Sequence, residues 1–167
     1  MADRTAWAVG YAGQARADFE TYDQLRDLPI PECHKLQFLQ MACEKLVKSH
    51  LCANEGNLAD LQKSHAYITK TLPVILRRQG VLVGLREGLV RNAGHFAKRL
   101  SAEIDCLSPS VTREGRRPDN CEYPWEDGNS QIHLPLDWSF GATQLLLGPS
   151  ARTFLKLTLL AINRLVV

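Results

Sequence analysis

Apolar positions recur at three- and four-residue steps along most of this chain and stop where proline or glycine gathers. Ala15, Phe19, Tyr22 and Leu25 predict a helix over residues 14–28, closed by Pro29 and Pro31. Trp7 and Tyr11 precede it among small residues, as an ordered arm or as the beginning of the same helix. A second helix is predicted from Glu32 to Leu51. Its inward stripe is Leu36, Leu39, Cys43, Leu46, Val47 and His50; Gln37, Gln40, Glu44 and Lys48 fall on the other, solvated side. Glu44 precedes Lys48 by one helical turn, the favourable order for an ion pair worth about 0.3 kcal/mol. Asn54-Glu55-Gly56-Asn57 ends this helix. A third helix is expected over 58–78, broken near Ser64-His65 and kinked or restarted at Pro73. A fourth covers Leu85 to Cys106, with Leu85, Leu89, Phe96, Leu100 and Ile104 on one face.

The pattern changes after Ser108-Pro109-Ser110. Arg113, Arg116, Arg117, Pro118, Asp119 and Asn120 make a polar, turn-rich loop. Two short apolar segments, 121–125 and 131–135, then flank Asp127-Gly128, a pair suited to a tight hairpin turn. Pro124 and Pro135 keep these segments out of the middle of a sheet. Helical spacing returns over 140–147 and, after Gly148-Pro149, over 150–165, where Ser150 is placed to cap. The expectation is an all-α domain spanning 1–167, with a core bundle over 14–106, a loop and hairpin over 108–138 and additional C-terminal helices over 139–167.

A chain of 167 residues can bury a real core. Its net charge of +2 is too small to imply nucleic-acid binding without local clustering. Cys33, Cys43, Cys52, Cys106 and Cys121 form no Cys-x-x-Cys unit, so zinc-ribbon and thioredoxin-like sites are not indicated, and neither a metal nor a cofactor is expected. An odd cysteine count and an N-terminus without a signal pattern point to a reducing cytoplasm. The apolar stretch from Phe154 to Val167 is interrupted by Lys156, Asn163 and Arg164, so a buried final helix is expected and no membrane association.

Gln40-x-x-x-Glu44-Lys45-x-x-Lys48-x-x-Leu51, followed after a short gap by Ser64-His65, resembles the HEPN superfamily, and the similarity extends over residues 14–106. The resemblance implies an up-and-down four-helix bundle that pairs as a homodimer. Many such proteins are metal-independent ribonucleases in toxin–antitoxin, stress or phage-defence systems. Others are inactive and serve as binding modules, often beside a nucleotidyltransferase partner.

Metal-free RNA cleavage of this kind needs a histidine to move a proton and an arginine to hold the phosphate. The family supplies them as Arg, a polar residue, a few further positions, and His, with four to six residues between Arg and His. The nearest match here is Arg91-Asn92-Ala93-Gly94-His95, with three. On a continuous helix that spacing still sets both side chains on one face, with Lys98 beside them. The resemblance thus implies Arg91 as the phosphate ligand, His95 as general acid/base and Asn92 as the residue that orients them. Lys98, Arg113, Arg116 and Arg117 are candidate nucleic-acid contacts. Tyr123, Trp125 and Trp138 have rings that stack on bases or pin the hairpin to the bundle. His133, near Asp127 and Glu122, lacks the spacing of a metal site.

Two other readings fit the same residues. One is a non-catalytic module that dimerises or docks a partner protein, in which His95 plays no chemical part. The other is a small-ligand or nucleotide binder with a cleft closed by residues 113–135.

Overall fold

The computed structural model describes residues 3–54, 67–110 and 119–166, with Val166 by its backbone alone. Six α-helices occur among them: α1 (Arg4–Leu25), α2 (Glu32–Asn54), α3 (Ile68–Leu82), α4 (Glu87–Asp105), α5 (Gly141–Leu146) and α6 (Ala151–Val166). A two-stranded antiparallel hairpin, β1 (Trp125–Glu126) and β2 (Ile132–His133), lies between α4 and α5. The protein is predominantly helical, as the spacing predicts. The break expected near Ser64-His65, and the start of the third helix at 58, fall outside the described residues.

Helix α1 begins at Arg4, so Trp7 and Tyr11 belong to it. Its buried face is Ala8, Ala12, Ala15, Asp18, Phe19 and Tyr22. The small residues at the N-terminal half of that face let α2 come close: the Ser49 hydroxyl donates to the Ala8 carbonyl at 2.7 Å. Ala8 meets Ser49 while Asp18 meets Lys45, so the two helices run antiparallel.

The side of α2 expected to be solvated is not. From Lys35 to Cys52 no residue of α2 is exposed; Gln40 and Lys48 are buried and Glu44 is half-buried. Helix α1 covers this side, and the polar groups there pair with one another. Glu44 accepts from the Gln40 amide at 2.9 Å and from Lys48 at 2.8 Å, and the Lys48 ammonium lies 5.9 Å from the Tyr11 ring centroid. Pairing is what makes burial of such groups tolerable. The apolar stripe Leu36, Leu39, Cys43, Leu46 and Val47 is buried as predicted.

Helices α3 and α4 form the second antiparallel pair. The Asp105 carboxylate at the end of α4 accepts from the Thr69 backbone N–H at 3.2 Å and from its hydroxyl, supplying an acceptor to the otherwise orphan first turn of α3. Helix α3 runs through Pro73 without a fresh start. The buried line of α4 is Val90, Ala93, Ala97, Leu100, Ser101 and Ile104. Leu89, expected on that face, is 52% exposed. Val90, Ala93 and Ala97, not Leu89, set the phase in the first half of α4.

Helix α6 is not an addition outside the bundle. Phe154, Leu157, Ala161 and Ile162 share one core with Leu46, Leu72 and Leu100, and Phe154 meets Phe96 edge-on at 6.0 Å. No single helix among the described residues is long and apolar enough to cross a membrane.

The hairpin hangs from the end of α4, where the Cys121 backbone N–H donates to the Leu107 carbonyl at 3.0 Å. Its turn is longer than the Asp-Gly pair suggests. Ser130 N–H donates to the Asp127 carbonyl at 3.1 Å and Ser130 has φ 60°, giving a three-residue loop: a type I turn followed by a left-handed residue. Trp125 is buried and packs edge-on against Trp138 at 5.2 Å, with the His133 ring against both.

Candidate functional site

A groove of about 510 Å³ lies between α3 and the first half of α4. Pro73, Val74 and Val90 make its apolar wall, and Arg77, Arg91, His95 and Lys98 its charged one; Glu87 is the acid among the lining residues. The origin of this grouping is local. Positions 91, 95 and 98 follow the 3.6-residue period on the face of α4 opposite Leu100, and α3 adds Arg77 because the short connection after Leu82 folds it back alongside. Arg91, His95 and Lys98 are exposed, and among the described residues their side chains make no hydrogen bond or ion pair, nor does that of Arg77. Four cationic or titratable side chains thus face one open groove against one acid, Glu87, among the described lining residues, an arrangement that attracts phosphate oxygens.

Arg91, His95 and Lys98 come together as their spacing predicts. Asn92 is exposed but is not among the groove's lining residues. Arg113, Arg116 and Arg117, and also His65, fall outside the described residues. Arg77 was not singled out from the sequence; the only signal available was the prospect that two helices joined by a few residues pack antiparallel.

The remaining candidates separate clearly. His34 is exposed at the start of α2. His133 is half-buried in the hairpin, where its Nε2 lies 3.0 Å from an Asp127 carboxylate oxygen. That contact, with the Gln131 and Asn129 backbone N–H groups, pulls the Asp127 carboxyl down to about 2. It is a turn-locking network. No group of three or more histidine, cysteine or acidic side chains able to hold a metal occurs among the described residues. Trp125 and Trp138 pin the hairpin, whereas Tyr123 is 60% exposed and open to other contacts. The five cysteines are all buried and unpaired as disulfides.

No protein-family model, curated protein or solved structure matches this chain.

Proposed function

We propose that this is a HEPN-like cytoplasmic protein that binds single-stranded RNA along the α3–α4 groove, with Arg91 and Lys98 on the phosphates and His95 at the ribose. The single observation that carries this reading is the facing of Arg77, Arg91, His95 and Lys98 into one groove with, among the described residues, one acid, Glu87, beside them. The arginines grip phosphate oxygens through paired N–H donors and Lys98 acts as a point charge. His95 is the group able to transfer a proton near neutral pH. Cleavage by attack of a 2′-hydroxyl on the adjacent phosphorus needs a base at that hydroxyl and an acid at the departing 5′-oxygen. Among the described residues one chain offers one histidine in this groove, and a second copy supplies the other, which is why the reading includes a homodimer.

A second reading, a non-catalytic docking module, is favoured by a different observation. Val74 is 61% exposed within the groove, and Leu89 is exposed on the neighbouring turn of α4. A partner helix with acidic and apolar residues would suit that surface.

The test is binding of a labelled oligoribonucleotide by fluorescence anisotropy over a range of salt, with cleavage followed in the presence of EDTA. Arg91→Gln and Lys98→Gln are each expected to weaken binding and to lower the slope of log K against log salt by about 0.7 per lost phosphate contact. His95→Ala is expected to leave binding in place and to remove cleavage. RNA affinity that is absent in the wild type, or unchanged in both charge variants, would overturn the reading.

A further inference from the structure

A second concave site lies away from the groove, where the C-terminal turns of α2 and α6 meet the second half of α3. It has a volume of about 400 Å³. Its floor and walls are apolar, with Ile75 of α3 and Leu165 of α6 among them, and His50, Arg78 and Arg164 stand around it. No acidic residue lines it among the described residues.

Shape and charge together ask for a ligand here. The side chains of Arg78 and Arg164 make no ion pair or hydrogen bond among the described residues. His50 is half-buried beside them, and burial together with the charge of Arg78 holds its imidazole below the usual histidine range. Cations gathered around a concave, partly apolar surface repel one another, and an anion placed among them relieves that repulsion. Gln79, 7% exposed, also lines the cavity and adds an amide beside the arginines.

We propose that this cavity is a binding site for a small amphipathic anion: a carboxylate or phosphate monoester head held by Arg78, Arg164 and the Gln79 amide, with an apolar tail against Ile75 and Leu165. The size and mixed lining are those of a small-molecule site, mostly apolar with a few convergent polar groups. The site is separate from the α3–α4 groove in its lining residues, so it stands or falls apart from RNA binding.

The experiment is isothermal titration of the full chain with octanoate and octyl phosphate, with acetate and inorganic phosphate as tailless counterparts. At least one tailed probe is expected to saturate and to bind about tenfold more tightly than its tailless counterpart. Whichever tailed probe binds more tightly identifies the head group. Arg78→Gln and Arg164→Gln, both at exposed positions and so compatible with folding, are each expected to weaken it about tenfold. Arg91→Gln, in the other groove, is expected to leave it unchanged. No saturable binding of either tailed probe, equal affinity for the tailless anions, or full affinity in both arginine variants would overturn the proposal.

Discussion

Lys45 of α2 donates to the carboxylate of Asp18 on α1, and this ion pair crosses the helix interface with Asp18 buried beneath it. The other Asp18 oxygen accepts from the Gln14 amide at 3.1 Å. The pair ties α2 to an α1 face that is otherwise Ala8, Ala12, Ala15, Phe19 and Tyr22, and so it carries a testable consequence. Asp18→Ala is expected to cost about 3 kcal/mol, because it leaves an ammonium group at the interface without its partner. Adding Lys45→Ala should restore part of that loss, so the double variant falls short of the sum of the singles. Urea unfolding of the four proteins, followed by circular dichroism, measures the coupling; strict additivity would contradict the pair.

The phase of α4 is tested by neighbouring residues. Leu89→Ala, on the exposed side, is expected to change stability by no more than about 0.5 kcal/mol. Leu100→Ala, fully buried, should cost about 3 kcal/mol. Similar losses at both positions in thermal or urea melts would place Leu89 in the core after all.

Phe154 separates a bundle completed by α6 from one to which α6 is merely attached. It is almost fully buried and packs against Phe96, so Phe154→Ala is expected to cost about 3–5 kcal/mol. Differential scanning calorimetry should show one transition moved to lower temperature. Two separate transitions, with the larger unmoved, would contradict the shared core.

Acid tests the hairpin. The carboxyl of Asp127 lies at about 2 in the folded protein against an ordinary 3.8. A group depressed in this way stabilises the fold above its unfolded value, and the contribution disappears as pH falls from about 4 to about 2. Trp125 and Trp138 report on the same element, so their fluorescence should begin to change in that interval. Asp127→Asn, which cannot ionise, should remove this acid step and leave only the response of the rest of the chain. An identical acid profile in the variant would sink the idea.

The thiols give a further readout of packing. Burial pushes Cys121 up to about 12 and Cys43 higher still. A thiolate is the reactive form, so the folded protein should react with an aromatic disulfide reagent near neutral pH only as it opens. All five cysteines should react at once in denaturant, with spectrophotometric release of the reporter thiol as the measure.

The sequence by itself determined the helices, the central apolar stripe of α2 and the face shared by Arg91, His95 and Lys98, because each depends on the 3.6-residue period within one segment. It also located the hairpin from its turn residues, though not the left-handed Ser130 that closes the turn. Only the tertiary structure decided what each face meets. The charged side of α2 is polar in composition and so looked solvated, yet α1 covers it and Glu44 pairs internally with Gln40 and Lys48. Arg77 joined the groove, and Gln79, Arg78, Arg164 and His50 came together, only when separate helices packed. Periodicity states which residues share a face; burial and ionic pairing depend on the neighbour that covers it, and that neighbour lies far away along the chain.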